Sequence, residues 1–274
     1  MPKVTASRSP TRRRPRIVAV SNQKGGEGKT TTAVNLAASL AAAERKVLLV
    51  DLDPQGNASS AVGYPRGQTD SGTYELMLGA APLKAVVHPT ELPTLQVVPA
   101  SPDLTGAEIE LVGVTGRESV LRAALERAEQ ELEWDFVILD CPPSLGLLTL
   151  NALVAADTVL IPMQAKYFSL EGLGALTGTI DRVRAALNPR LAIEGIVFCM
   201  FDRRTNLAQQ VVAEVRQHFA DKVFATAIPP NIRLSESPSH GKPVLLYDIE
   251  SKGARAYLDL AQELLSRIEA RPDA

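Results

Sequence analysis

The sequence predicts an α/β fold with a mostly parallel central sheet and helices on both faces. Three observations predict it. From Arg16 onward, apolar β-branched runs alternate with amphipathic helical stretches. The runs are apolar throughout rather than every second residue, as expected for strands buried on both faces. Of the 274 residues 45% are hydrophobic but only 4% aromatic, so small aliphatic side chains must fill the core. That length suits one large domain.

Taken in order, strands are expected at Ile17–Ser21, Val47–Asp51, Leu95–Pro99, Phe136–Asp140, Thr158–Met163, Ile193–Met200 and Val223–Ala227. Each is a short run bounded by polar residues or by Gly and Pro. Helices are expected at Lys29–Ala43, Glu118–Glu131, Leu148–Ala155, Ser169–Ala186, Leu207–Phe219 and Ala254–Ala270, where apolar residues recur at helical spacing. Thr69–Thr94, rich in Gly and Pro, reads as a lid or connector rather than a second domain. Residues 1–15, rich in Arg, Ser, Thr and Pro, read as a disordered basic tail, 16–270 as a single domain and 271–274 as a short C-terminal tail. No internal repeat is visible.

Composition excludes several classes. No run of about 18 apolar residues exists to span a membrane, and the charged N-terminus has no apolar stretch behind it to make a secretory signal. Cys141 and Cys199 stand far apart in apolar contexts, giving neither metal spacing nor a disulfide framework; a reducing cytosol is the simplest compartment. The formal charge of −2 conceals an asymmetry. Residues 1–16 carry six basic residues and no acid, leaving 23 basic against 31 acidic residues in the rest. Such a tail either meets polyanions or is merely solvated. On an acidic body, any nucleic-acid surface must be a local patch.

The most specific segment is Gln23-Lys24-Gly25-Gly26-Glu27-Gly28-Lys29-Thr30-Thr31. It lies between an expected strand and an expected helix, the context a phosphate-binding P-loop requires. Gly25, Gly26 and Gly28 let the backbone approach anionic oxygens, and their amides form an anion nest that the start of the helix continues. Lys29 is placed for the β/γ-phosphates, and Thr30 for Mg²⁺. Gln23 stands where the general pattern has its first glycine, and Lys24 is an additional lysine.

Three carboxylates fall at strand ends, where ligands collect in parallel sheets. Asp140 closes Phe136-Val137-Ile138-Leu139, the Walker B arrangement that holds Mg²⁺ through water; the alternative is a strand-end turn. Asp53 is chosen to orient the attacking water. Asp51 either supports Mg²⁺ or holds the loop lysine, and either acid could instead cap the next helix. Cys141-Pro142-Pro143-Ser144 forms a rigid corner beside the expected γ-phosphate position.

Together, Lys24–Thr31, Asp51–Asn57 and Asp140–Ser144 resemble the deviant Walker A P-loop ATPases of the ParA/MinD class. The resemblance continues through Tyr167–Leu173, Phe201–Thr205, Asn231–Glu236 and Pro238–Pro243, and covers nearly everything from Ile17 to Ile268. The later motifs are similar to chromosomal ParA (Soj) proteins rather than to MinD. The resemblance implies an ATP/ADP cycle with Mg²⁺ in which ATP forms a sandwich homodimer and Lys24 reaches the partner's phosphates. That dimer would bind double-stranded DNA without sequence preference, on the nucleoid within the cytoplasm. A ParB-type centromere-binding protein would stimulate a weak intrinsic hydrolysis and return monomers, driving chromosome or plasmid segregation. Lys24, Lys29 and Asp53 are thereby the catalytic candidates. Gly25 to Thr31, with Asp202, Pro229 and Asn231 near the adenine, are the nucleotide candidates; Thr30, Asp140 and Asp51 are the metal candidates. Arg204 and Arg233 are carried over as DNA-backbone contacts, with Arg216, Lys242 and Arg255 as weaker additions; taken singly, each reads as an ordinary surface charge. His240 is assigned a structural role.

Three positions depart from the family pattern. Glu27 replaces a small neutral residue, commonly Val, so an acid near the triphosphate either repels it or pairs with Lys24 or with the partner's Lys24. Weaker ATP-dependent dimerisation than with a neutral residue is expected. Pro230 replaces a frequent Arg, and Lys166 a frequent Glu. The main alternative is a MinD-like membrane-cycling ATPase, which would need a basic amphipathic C-terminal helix. The polar face of Ala254–Ala270 mixes Asp259, Glu263 and Glu269 with Arg267, so packing on the body is expected and stable membrane association is not. An iron–sulfur ATPase would need bridging thiolates that Cys141 and Cys199 are not placed to supply, and a metabolic synthetase an acceptor pocket for which no motif is visible.

Overall fold

The structure is a computed structural model and describes residues 14–128 and 133–270. The expected tails at 1–15 (apart from Arg14 and Pro15) and at 271–274, and the last turn of the helix expected at Glu118–Glu131, lie outside the described residues.

The elements follow in alternation: β1 (Arg16–Val20), α1 (Lys29–Ala42), β2 (Val47–Asp51), α2 (Asn57–Ser60), α3 (Thr73–Leu78), α4 (Leu83–Val86), β3 (His88–Pro89), β4 (Leu95–Val98), α5 (Leu104–Glu110), α6 (Val120–Ala128), β5 (Phe136–Asp140), α7 (Leu147–Ala155), β6 (Thr158–Gln164), α8 (Tyr167–Ala186), β7 (Ala192–Cys199), α9 (Asn206–Phe219), α10 (Arg233–Glu236), α11 (Val244–Tyr247) and α12 (Lys252–Glu269). One seven-stranded sheet runs β3-β4-β2-β5-β1-β6-β7. Only the two-residue edge strand β3 is antiparallel to its neighbour.

Strand residues alternate between two cores. Ile17, Ala19, Leu48, Val50, Val137 and Leu139 join the core under α3 to α9. Val18, Val20, Leu49, Ile138 and Leu160 join the one under α1, α2, α11 and α12. Helices thus cover both faces, as the apolar strands require. The apolar face of α12 (Tyr257, Leu260, Ala261, Leu264) is buried on that second core, against α1. Among the described residues no helix is long and apolar enough to cross a membrane.

One expectation is corrected and one is narrowed. Val223–Ala227 is not a strand but a single parallel bridge from Val223 to Ile196. The amides that would continue a ladder, Ala225 and Thr226, donate instead to the Glu263 carboxylate on α12, at 2.8 and 2.9 Å. Thr69–Thr94 is a connector and not a lid: it holds α3, α4 and β3, and Leu76, Met77, Leu83 and Val86 are buried in the core. The helix α5 was not anticipated.

The register fixes the site. Val20 lies beside Asp140 on β5, and Asp140 beside Asp51 on β2. The phosphate loop after β1 and two of the strand-end acids therefore meet on the carboxyl edge of the sheet.

Candidate nucleotide-binding site

The loop between β1 and α1 adopts the conformation its glycines permit. Gly26 and Gly28 have φ of 76° and 90°, in the left-handed region that side chains disfavour. A Cβ on Gly28 would lie 3.2 Å from both Cβ and Sγ of Cys199 at the end of β7, so backbone and space both demand glycine. α1 begins with no side-chain cap and no acid in its first turn. Its free amides are the kind of donor that binds phosphate. Lys29 is buried, and its Nζ donates to the Lys24 carbonyl at 3.1 Å, so it is folded back on its own loop. Burial lowers its pKa, an effect that Asp140, Cys141, Asp53 and Glu27 partly oppose.

Asp140 is fully buried, and neither carboxylate oxygen has a hydrogen-bond partner. Burial drives its pKa well up, Asp51 and Asp53 add to the rise, and Thr30 and Lys29 only partly oppose it. A buried carboxylate left unsatisfied is costly unless a cation completes it. Hard oxygen donors from Asp140 and Thr30 suit Mg²⁺. Asp51 is arranged differently. Its Oδ2 accepts from the Ser59 amide and hydroxyl at 2.8 and 2.6 Å, and its Oδ1 from the Asp53 amide at 3.1 Å. Burial raises its pKa to about 6 against these bonds. The geometry gives Asp51 the work of fixing the Asp53 segment and the start of α2. Asp53 is nearly buried and accepts from the Gln55 amide at 3.0 Å. Thr31 holds Asn35 through its carbonyl at 2.8 Å.

The first half of the loop is braced by the β6–α8 corner, which the sequence did not disclose. Asn22 donates to the Pro162 carbonyl at 2.8 Å and accepts from the Lys24 amide at 3.1 Å. Gln164 Nε2 donates to the Gly26 carbonyl at 2.7 Å. Glu27 is 1% exposed; it accepts from the Gln164 amide, and from the Ser169 hydroxyl at 3.0 Å. Its Oε1 lies 3.6 Å from Lys24 Nζ, and Lys24 Nζ is also 5.9 Å from the centre of the Phe168 ring. Gly172 of α8 packs beside this loop, where an added Cβ would make ordinary contacts with Asn22 Oδ1 at 3.7 Å and the Lys24 Cβ at 3.9 Å. Gly25 is exposed and open.

Asp202 and the Pro229–Asn231 segment are brought together by the Phe201 amide donating to Ile228 and the Ile228 amide to Phe198, at 2.9 and 2.8 Å. Arg204 forms a two-pronged pair with Asp202 at 3.0 and 2.7 Å. That pairing holds the Asp202 carboxyl down at about 2. Arg233 pairs with Glu236 at 2.8 Å and Asp248 at 3.1 Å. Lys242 pairs with Glu91, and Arg255 with Glu250. Arg216 is exposed on α9 with no ion-pair partner among the described residues. Lys166 and Pro230 are exposed, and His240 stacks on Tyr247 at 4.8 Å.

A cavity of about 620 Å³ lies at the opposite edge, where the strands begin, lined by Arg16, Asp157, Glu194 and Arg267 among others. Two of its arginines are already engaged: Arg16 pairs with Glu194 at 2.8 Å and Arg267 with Glu263 at 2.7 Å. The phosphate loop and the strand-end acids lie on the carboxyl edge.

A family model described as an AAA domain matches residues 15–193. The chain is 59% identical to the chromosome partitioning protein ParA of Myxococcus xanthus, over 92% of this chain and 88% of that protein. It is 51% identical to the sporulation initiation inhibitor protein Soj of Bacillus subtilis, over 91% of this chain and 98% of that one. Among solved structures, cobyrinic acid a,c-diamide synthase from Mycobacterium smegmatis, with bound ADP and magnesium, superposes with a TM-score of 0.80 at 36% identity, covering 93% and 96% of the two chains. The loop, the strand-end acids and these identities make this chain a member of the ParA/Soj family of P-loop partitioning ATPases.

Proposed function

We propose that this chain is a DNA-partitioning ATPase that binds ATP with Mg²⁺, dimerises on it, and holds double-stranded DNA until hydrolysis returns monomers. The observation that carries this reading is the division of labour between two lysines on one loop. Lys29 is buried toward Asp140, whereas Lys24 is 40% exposed on the outer side, where a second subunit can offer phosphates. Exposed Leu145, Tyr167, Phe168 and Met200 follow the carboxyl ends of β5, β6 and β7, and exposed Ile232 lies just past Ile228, whose backbone pairs with Phe198 and Phe201 at the end of β7. A rim of that kind is the surface a second copy would cover.

Amides from Gly25 to Thr31 would cradle the phosphates, and Lys29 would exchange the Lys24 carbonyl for β/γ-oxygens. Thr30 and Asp140 would hold Mg²⁺, which supplies charge neutralisation between the β- and γ-phosphates. Asp53, fixed by Asp51, would orient the attacking water, and Asp202, Pro229 and Asn231 would border the adenine. Arg204 and Arg233, with Arg216, Lys242 and Arg255, would contact the DNA backbone, giving salt-sensitive, sequence-indifferent binding. A ParB-type protein would stimulate hydrolysis, and the cycle would place the protein on the nucleoid.

The greater identity to partitioning proteins than to the synthase supports this reading over amide synthesis. The burial of the apolar face of α12 argues against a MinD-like membrane anchor. DNA binding should be measured in the apo, ADP, ATP and non-hydrolysable states at low and high salt. Binding specific to ATP and lost at high salt is expected, and binding independent of nucleotide would overturn the reading. Cosedimentation with liposomes in ATP should be negative.

A further inference from the structure

The geometry points to Glu27 as a latch that holds Lys24 on its own subunit and so opposes the ATP-bound dimer. This inference rests on the dimer reading above and specifies what regulates it.

Glu27 is a carboxylate inside the phosphate loop, 1% exposed, on a chain whose loop otherwise needs no acid. Two neutral donors fix it: the Gln164 amide at the end of β6, and the Ser169 hydroxyl in the first turn of α8 at 3.0 Å. Its direct ion-pair partner among the described residues is Lys24, at 3.6 Å from Oε1, while Lys29 feels its charge from farther off. The lysine is further held by its amide on Asn22 and by the Phe168 ring. A lysine engaged this way cannot also extend to a second subunit. When it leaves, Glu27 keeps its two hydrogen bonds but loses its direct ion-pair partner while remaining buried, with only the weaker, longer-range charge of Lys29 left. An unpaired buried charge is disfavoured far more than a paired one. Each protomer of a dimer would carry that cost, so the ATP dimer must outweigh two broken Lys24–Glu27 contacts.

The acid therefore sets the threshold for dimerisation, and Glu27 acts through Lys24 as a positioning residue. Its hydrogen bonds give it a second, separable role as a strut tying the loop to the β6–α8 corner. Glu27→Gln removes the charge but retains a side chain able to meet Gln164 and Ser169. Glu27→Val removes both.

The test is the dimer dissociation constant by sedimentation velocity with a non-hydrolysable ATP analogue, for the parent, Glu27→Gln, Lys24→Ala and the double variant, at low and high salt. Binding of a fluorescent nucleotide to the monomer is measured in parallel. Glu27→Gln is expected to dimerise on the order of tenfold more tightly than the parent at low salt, for a partly exposed pair at this distance. The gain should shrink at high salt and disappear in the Lys24→Ala background, and it should exceed whatever change in nucleotide affinity the monomer measurement shows. A purely structural strut would show no dependence on Lys24. Equal dimer constants for parent and Glu27→Gln, or a gain that survives Lys24→Ala, would overturn the latch alone. Failure of all four proteins to dimerise with nucleotide would overturn the dimer reading and the latch with it.

Discussion

Asp140→Asn is expected to stabilise the nucleotide-free protein at neutral pH and, at the same time, to abolish its stabilisation by magnesium–ATP. Both oxygens of Asp140 are buried without a hydrogen-bond partner. Its pKa is driven up first by burial and then by the charges of Asp51 and Asp53. An unpaired buried ion costs several kcal/mol after relaxation. A neutral amide of the same shape keeps only the penalty of unsatisfied polar atoms, about 1–3 kcal/mol. The net gain is about 1–3 kcal/mol, which raises the melting temperature of a chain of this size by about 3–8 °C. The sign of the pH dependence follows from the direction of the shift. A carboxyl whose folded pKa lies above its unfolded one favours folding when protonated, and that contribution is lost as pH rises through the folded value. The parent therefore recovers stability in acid, and the gap between parent and Asp140→Asn closes there. Scanning calorimetry of both proteins from acid to neutral pH, with and without magnesium–ATP, reads all of this. A lower apo melting temperature for Asp140→Asn at neutral pH, a gap that widens in acid, or a magnesium-dependent shift that survives would refute the reasoning.

Three other perturbations have defined outcomes. Gly28→Ala combines a φ of 90° with a Cβ at 3.2 Å from Cys199; it should cost about 2–4 kcal/mol in urea unfolding, and adding Cys199→Ala should return only the part of the contact made with Sγ, because the Cβ at 3.2 Å remains. Ser59→Ala removes a 2.6 Å bond to Asp51 and a 2.9 Å bond accepted from the Ala100 amide. It should cost about 1–3 kcal/mol and lower ATP turnover by loosening the Asp53 segment. Glu263→Ala frees the Ala225 and Thr226 amides and should cost about 1–2 kcal/mol, reduced for partial exposure. Burial opposes ionisation of Glu263, but the bonds from Ala225, Thr226 and Arg267 hold its pKa down. Its contribution is therefore present above the unfolded pKa and fades as pH falls through the folded one, which acid titration of parent and variant would show.

What the sequence disclosed, and what it did not, divides by range. The loop Lys24–Thr31 and the acid closing β5 were legible because each motif is contiguous and its chemistry local. The apolar strands were legible because burial on both faces leaves a run visible in composition alone. Val223–Ala227 read as a strand by the same criterion, but Glu263, far along the chain, takes its amides. Propensity cannot register a competitor that only tertiary structure brings near. Asp51 was left between metal, lysine and cap because all three need a strand-end acid. The Ser59 amide and hydroxyl, eight residues on, fill one oxygen. Glu27 was legible as an anomaly, but its surroundings were not: Gln164 and Ser169 lie 137 and 142 residues away, and neither residue type signals a brace.

That brace changes how the loop has to work. Lys24 is held at three atoms: its amide by Asn22, its ammonium by Glu27, and its carbonyl by Lys29. In this loop, the lysine proposed for the chain's own phosphates is tied to the backbone of the lysine proposed for its partner's. Lys29 cannot reach a phosphate without releasing the Lys24 carbonyl, and Lys24 cannot reach a second subunit without leaving Glu27. The first release removes one of the three restraints on Lys24, so phosphate capture would loosen the residue that has to move under the proposed dimer. Under the dimer reading proposed above, a dimer formed before nucleotide would have to break the Lys24–Glu27 contact with no phosphate to receive the lysine. A loop with Lys29 alone would bind nucleotide without that sequence of events, and one lacking Glu27 would follow it with a lower threshold.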